Sequence, residues 1–223
     1  MSPLKKQFHF LAFLSIIVSM PLFASDTLNP AQLVIKGSSD QIHSILLTER
    51  EALANDRQHL LNVVSEIIEP LVDLDKVSRL VLGKYWRKAT KEQRLAFQKE
   101  FRMLLFNTYA ASFTDLGEWE LNFIPVKAKA DAKRMIIKTE IIQSSQPPIA
   151  VNYRMIVNKQ EQWKVYDIII EGISMVTNYR SGFASRIKKS GGLDKVIQDL
   201  AAKNSSSHSV LETKTVALET NKS

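Results

Sequence analysis

The spacing of apolar residues along the chain changes from a helical repeat to a strand repeat, and then back again. Apolar residues recur every three or four positions after the capping box at Thr90 to Gln93. Between Trp119 and Ile170 they alternate with polar residues or form short β-rich runs. Helical spacing returns from Val176. This order predicts a single α+β domain in which helices flank a four-stranded antiparallel meander.

The predicted elements follow from this spacing and from the capping and breaking residues between them. We expect helices over Pro30–Leu53, Leu60–Ile68, Leu71–Leu82, Thr90 to the 113–117 region, Val176–Gly191 and Leu193–Ala202, and strands over Trp119–Phe123, Met135–Ile142, Ile149–Val157 and Trp163–Ile170. Gly37, Ser38 and Ser39 could interrupt the first helix. A twisted four-stranded sheet packed with several helices can enclose a cavity, so we expect an apolar pocket between them.

The first residues have the pattern of a cleavable secretion signal. Lys5 and Lys6 precede the apolar run from Phe8 to Met20, which is short for a membrane span, and Ala24 offers a cleavage position. An uncleaved N-terminal anchor is the alternative. We therefore expect a signal peptide over 1–24, an exported domain over 25–204 and a disordered, Ser- and Thr-rich tail over 205–223.

Composition excludes several classes of chemistry. The chain has no cysteine, which rules out disulfides, thiolate metal sites and cysteine nucleophiles. The four histidines lack zinc-site spacing, and no glycine-rich phosphate loop is present. The formal charge of +7 suits anionic partners, but export makes nucleic acid an unsuitable partner. Asp73 and Asp75 could bind a cation, although a helix cap is the better interpretation of Asp73.

Two carboxylates at the end of the last predicted strand keep one catalytic alternative open. Asp167 and Glu171 are four residues apart, and one of them could act as a general base beside an apolar pocket. That alternative describes a periplasmic enzyme on a cone-shaped α+β scaffold. A structural role, in which the carboxylates hold backbone or arginine donors, is the interpretation we favour.

Three segments resemble signatures of a known family. The first runs from Val81 to Thr90 and continues with Gln93, Arg94, Phe97, Phe101 and Tyr109. The second comprises Trp163 to Asp167 and Glu171 to Met175, and the third runs from Asn178 to Phe183. Together they resemble the MlaC family, also called the toluene-tolerance auxiliary periplasmic proteins. The likeness extends from Asn29 to Asn204 and leaves out the tail.

The resemblance implies a fold and a function. Members are periplasmic α+β proteins that bind a phospholipid with its acyl tails buried. They carry it between an outer-membrane lipoprotein–porin complex and the MCE-domain ring of an inner-membrane ABC transporter, which maintains the lipid asymmetry of the outer membrane. For such a shuttle we expect a monomer with no catalysis, no metal and no cofactor other than the lipid cargo.

The pocket that such a carrier needs would be lined by the inner face of the sheet and the helices over it. Our candidates for contact with the acyl tails are Leu82, Trp86, Phe97, Phe101, Leu104, Tyr109, Tyr153, Ile168, Ile170, Ile173, Met175 and Phe183. Because a charged headgroup prefers water, cations at the mouth could contact its phosphate. The candidates for that role are Lys84, Arg87, Arg154 and Arg180.

Overall fold

The computed structural model describes residues 28–115, 118–126, 129, 131–144 and 146–220, so the predicted signal peptide lies outside the described residues. In the described residues, five α-helices precede an antiparallel sheet and two follow it. The helices are α1 (Pro30–Asn55), α2 (Arg57–Ile68), α3 (Leu74–Leu82), α4 (Lys84–Lys88), α5 (Lys91–Asp115), α6 (Met175–Ser190) and α7 (Leu193–Thr220), with a short 3-10 turn at Glu69–Leu71. The strands are β1 (Glu120–Phe123), β2 (Arg134–Gln143), β3 (Gln146–Val157), β4 (Trp163–Ile170) and β5 (Ile173–Ser174).

Side-chain caps begin the helices at the predicted positions. Asn29 Oδ1 accepts from the backbone of Gln32, whose side chain accepts from the backbone N–H of Asn29, and α1 then continues through Gly37 without a break. Thr90 and Gln93 exchange the same pair of bonds before α5. Asp73 caps α3 through the backbone N–H of Lys76, as predicted. These bonds satisfy backbone donors that the first helical turn leaves unpaired.

The sheet is antiparallel, and its strands follow the order β1-β2-β3-β4-β5. The prediction of four strands was wrong in number because the chain reverses at Glu171 and Gly172, which both have positive φ. Such a two-residue turn lets Ile173 pair back onto Ile170 and adds the two-residue β5. A strand of two residues is too short to show an alternating pattern.

The C-terminal helix is longer than the sequence indicated. The backbone is helical to Thr220, whereas a disordered tail was predicted from Ser205. Extending an existing helix avoids the cost of nucleating a new one, so a segment of modest helix propensity can continue α7. The side-chain amide of Asn204 also donates to the backbone oxygen of Glu100, which ties this part of α7 to α5.

Three apolar clusters form the core. The helical cluster joins α3, α4, α5, α6 and α7, and its buried members are Val77, Val81, Leu82, Trp86, Ala89, Phe97, Phe101, Leu104, Phe183, Ile187, Leu193, Val196 and Leu200. The sheet cluster joins α1 to the strands through Ala31, Ile35, Ile137, Met155 and Val165. The hairpin cluster joins α1, α2 and α5 through Leu53, Leu60, Leu61, Val64 and Ala110. Helix α1 is therefore shared by two of the three clusters.

Gly83 makes the sharp junction between α3 and α4, and we expect Gly83→Ala to destabilise the protein. Its φ is +54°, and a Cβ there would lie 2.9 Å from Arg180 Nε. The strained backbone should cost about 1–3 kcal/mol in the free energy of unfolding, measured by urea denaturation. The control is Gly182→Ala within α6, where a Cβ meets nothing within 4 Å. That change should be neutral or stabilising, and equal losses in both variants would contradict the explanation.

Candidate functional site

One face of the sheet is apolar across its four long strands, and we call it the inner face. The register places the following residues on it: Leu121 and Phe123 of β1, Met135, Ile137, Thr139 and Ile141 of β2, Ile149, Val151, Tyr153 and Met155 of β3, and Trp163, Val165, Ile168 and Ile170 of β4. The outer face carries charged and polar side chains, among them Lys138, Glu140, Asn152, Arg154 and Lys164. Because neighbouring side chains on a strand point to opposite faces, this alternation separates an apolar face from one that carries most of the charged side chains of the strands.

Helix α1 closes one end of the inner face and leaves the other end accessible. Ala31 and Ile35 pack on Ile137, Met155 and Val165, and all five are buried. At the opposite end of the strands, Ile170 is 36% exposed and its partner across the turn, Ile173, is 62% exposed. The face is therefore a wall that is sealed at one end and open to solvent at the other.

A second apolar surface, the crevice between α1 and α2, shares helix α1 with the inner face. It is lined only by apolar side chains: Ile42, Ile45, Leu46, Leu53, Leu60, Val63, Val64 and Ile67. Its cavity volume is about 10 Å³, which is close to the lower limit for one water molecule. Sequence reasoning did not assign these residues to a site, although their i, i+3, i+4 spacing was the signal for an apolar helix face.

Few polar groups lie on the inner face, and those present are neutral. Thr139 is buried and its hydroxyl donates to the backbone oxygen of Val151 at 2.6 Å. Burial raises the pKa of Tyr153 to about 12, and a hydrogen bond with Thr139 opposes that rise only partly. Tyr153 is therefore an uncharged hydroxyl at neutral pH. A wall of this kind suits hydrocarbon and disfavours ions.

Trp119, just before β1, adds an unused donor near this wall. Its indole Nε1 is buried and has no hydrogen-bond partner among the described residues. Its ring lies edge-on to His43 of α1, with the ring centres 5.6 Å apart. A buried donor without an acceptor is costly, so this N–H is available to an oxygen atom of a bound molecule.

The predicted tail-lining residues divide between two regions. Six of them belong to the close-packed helical cluster: Leu82, Trp86, Phe97, Phe101, Leu104 and Phe183. The phenylalanine rings among them contact one another, with Phe97 and Phe183 edge to face and their ring centres 5.1 Å apart, so they fill space with one another. Tyr153, Ile168 and Ile170 lie on the inner face, and Ile173 and Met175 follow it at the open end. Tyr109 on α5 accepts a hydrogen bond from Tyr179 of α6.

Three of the four predicted headgroup cations lie around the α3–α4 junction, and the fourth lies apart on the sheet. Lys84 and Arg87 lie on α4, and Arg180 lies beside Gly83 from α6. Arg154 is on the outer face of the sheet, where its Nη1 donates to Asp167 Oδ2 at 2.9 Å. A contact of these residues with a lipid phosphate stays a prediction.

Asp167 is committed to structural bonds. Its side chain is 2% exposed, and its two oxygens accept from Arg154 Nη1, from Ser174 Oγ at 2.7 Å and from the backbone N–H of Val176 at 3.0 Å. Glu171 is exposed and accepts from the backbone N–H of Ala150 at 2.5 Å. These bonds hold the corner between β4 and α6, on the side of the strand away from the inner face. The geometry supports the structural interpretation of both carboxylates.

Within the described part of the chain, no group of three or more His, Asp or Glu side chains is placed to hold a metal ion. None of the helices in the described ranges combines the length and hydrophobicity needed to cross a bilayer.

Comparison with known proteins agrees with this architecture. The chain is 27% identical over 190 residues to toluene tolerance protein ttg2D of Pseudomonas putida, covering 84% of this chain and 87% of that protein. It is 26% identical to the intermembrane phospholipid transport system binding protein MlaC of Haemophilus influenzae, covering 84% and 88% respectively. The fold is similar to that of a phospholipid-binding protein from Ralstonia solanacearum, solved in complex with a phospholipid. The TM-score is 0.74 at 27% identity, covering 81% of this chain and 99% of that one.

The sequence profile of the family described as MlaC protein matches residues 36–202, which include most of α1, the whole sheet and α6. The matched range contains both walls of the apolar site and the three segments that carried the resemblance. This chain belongs to the MlaC protein family.

Proposed function

We propose that this protein is a periplasmic phospholipid carrier whose inner face and α1–α2 crevice shelter the acyl tails. The observation that carries the proposal is the Ralstonia solanacearum structure, a phospholipid complex whose fold this chain shares at a TM-score of 0.74. The apolar inner face supports it, because the side chains described on that face are apolar or neutral. The headgroup would lie at the open end beside Ile173, which is 62% exposed, and Ile170 would contact the acyl tails just inside that end.

The need for a carrier follows from the cost of exposing lipid tails to water. A phospholipid has on the order of thirty methylene groups, each worth about 0.8 kcal/mol, so exposing them costs roughly 25 kcal/mol. Unassisted crossing of an aqueous compartment is therefore negligible. A carrier has to offset most of this cost and still release the lipid, which favours transfer inside a docked complex. No catalytic step is needed for this function.

Loading requires α1 to move away from the sheet or from α2. Ligand pockets have volumes of about 300–1,000 Å³, whereas the crevice between α1 and α2 has about 10 Å³. Helix α1 is weakest at Gly37, since glycine is a poor helix former. The Ser38 hydroxyl next to it donates to the backbone oxygens of Val34 and Ile35, a pattern that bends helices. We propose that α1 bends here to admit the tails.

Gly37→Ala tests this hinge. A Cβ at position 37 meets nothing within 4 Å, so the change should stabilise α1 by about 1 kcal/mol without a clash. If α1 must bend there, exchange of a fluorescent phospholipid with vesicles should slow about fivefold. Gly182→Ala stiffens α6 in the same way and should leave the exchange rate unchanged. Unchanged exchange in Gly37→Ala would place the hinge elsewhere.

The location and the partners are part of the same proposal. The relative from Haemophilus influenzae is named as the binding protein of an intermembrane phospholipid transport system. We propose that this chain works in the periplasm between an outer-membrane lipoprotein–porin complex and the MCE ring of an inner-membrane ABC transporter. The predicted signal peptide and the predicted monomeric state are consistent with a diffusing shuttle.

The decisive experiment is to identify what the purified protein carries. The exported chain should be purified from periplasm without detergent and analysed by native mass spectrometry and lipid extraction. We expect phospholipid at a ratio near one to one. Protein that is folded and free of lipid, and that takes none from vesicles, would overturn the proposal.

A further inference from the structure

A second concave surface lies on the side of the molecule built by α4 and α6. It has a volume of about 460 Å³, and we call it the α4–α6 groove. Its lining residues are Tyr85, Lys88, Ala89, Gln93, Ile187, Lys188, Gly191, Gly192 and Leu193. Ala89, Ile187 and Leu193 are buried members of the helical cluster, so they form an apolar floor. Lys88 and Lys188 are exposed and stand over that floor from the two helices.

Cations along the groove lack acidic partners. Within the described ranges, neither Lys88 nor Lys188 forms an ion pair, and neither do Lys84, Arg87 and Arg180 farther along the same two helices. Some exposed cations elsewhere are paired along their own helices, as Arg79 is with Asp75 and Lys195 with Asp199. The two groove lysines therefore present unpaired positive charge beside an apolar floor.

The groove is separate from the lipid site. Its floor belongs to the helical cluster, whereas the inner face of the sheet belongs to the sheet cluster. A molecule bound in the groove would not compete for the surface that we assign to the acyl tails. The groove could therefore be occupied while the carrier is loaded.

We propose that the α4–α6 groove docks an acidic segment of a partner protein. One apolar side chain of that segment would rest on Ala89, Ile187 and Leu193, and carboxylates on either side of it would pair with Lys88 and Lys188. The inference rests on the proposed function only in that a carrier needs a docking partner. The paired charges would speed encounter and orient the partner on the carrier.

The shape of the groove favours a protein segment over an anionic membrane. A planar bilayer cannot reach a concave floor that lies between two helices. Two carboxylates also stand next to the groove. Glu92 is exposed in the first turn of α5, and Asp194 accepts from the side chain of the groove residue Gln93 at 2.8 Å. They would repel a continuous anionic surface, whereas a peptide can place its charges on the lysines alone.

The test uses the full exported chain and a fluorescein-labelled peptide, Asp-Glu-Leu-Glu-Asp, with fluorescence anisotropy as readout. We expect Lys88→Glu combined with Lys188→Glu to weaken peptide binding at least ~tenfold. The matched control combines Lys138→Glu and Lys159→Glu, which reverse the charge of two exposed lysines on the outer face of β2 and in the β3–β4 loop. It should change the affinity less than ~twofold, and wild-type binding should weaken as salt rises.

Three results would overturn the groove assignment. The first is an equal loss of peptide affinity in the two double variants, and the second is no loss of affinity in either. The third is displacement of the peptide by phosphatidylglycerol vesicles or inorganic phosphate at lower concentration than by unlabelled peptide. Phospholipid content is measured in the same samples and should be equal in all three proteins. Wild-type protein without lipid would contradict the proposed function. The peptide affinities would still show whether the groove binds an acidic segment.

Discussion

Ile170→Glu is expected to lower the phospholipid content of the purified protein at least ~tenfold. Ile170 lies on the inner face at its open end and is 36% exposed, so a glutamate there is tolerated by the folded protein. In the loaded state the same carboxylate would lie against hydrocarbon, where an unpaired charge costs several kcal/mol. Lipid extraction with phosphorus quantification, normalised to protein, measures the change.

The control for this variant is Ile142→Glu. Ile142 is 37% exposed and lies at the same end of the sheet, but its side chain points to the outer face opposite Glu120. It should keep the wild-type lipid content. If both variants lose lipid equally, or neither does, the tails do not lie on the inner face at Ile170.

Asp167→Ala is expected to reduce the free energy of unfolding by about 3 kcal/mol, measured by urea denaturation with far-UV circular dichroism. The variant leaves Arg154, Ser174 and the backbone N–H of Val176 without their shared acceptor. Arg154 is 40% exposed and can turn to water, so most of the loss should come from the detached start of α6.

An exposed carboxylate provides the comparison for Asp167. Asp75 pairs with Arg79 on the surface of α3, and both side chains are more than half exposed. Asp75→Ala should cost about 1 kcal/mol or less, because solvent screens such pairs. Similar losses for Asp75 and Asp167 would show that the β4–α6 corner is not held by the buried network. Lipid content in Asp167→Ala should follow the folded fraction.

The starts of the helices could be predicted because their interactions are local. The capping boxes at Asn29 and Thr90 join residues three apart, so the sequence contains both partners of each bond. The four long strands were predicted for the same reason, since alternation repeats every two residues. Helix α4 and strand β5 were missed because they have five and two residues, which is too few to establish a period.

The membership of the candidate site could be predicted only in part. Phe97 and Tyr153 are both aromatic residues at regular spacing, yet one packs in the helical cluster and the other lies on the inner face. Spacing shows that a side chain is turned inward, but it does not show which cluster receives it. The crevice residues of α1 and α2 were not assigned to the site for the same reason, because their role depends on the two helices lying side by side.

Sequence alone predicted the order of the longer elements, the caps at Asn29, Asp73 and Thr90, the alternation that makes one face of the sheet apolar, and the family. These depend on neighbours within a few residues or on motifs read in order along the chain. Three features became visible only in the tertiary structure. Asp167 accepts hydrogen bonds from Arg154, Ser174 and the backbone N–H of Val176. Lys88 and Lys188 lie at one groove, and α1 closes one end of the sheet. Each of these features depends on how elements distant in sequence pack together. Burial of apolar surface drives that packing, and because it is non-directional, residue spacing does not show which elements will meet.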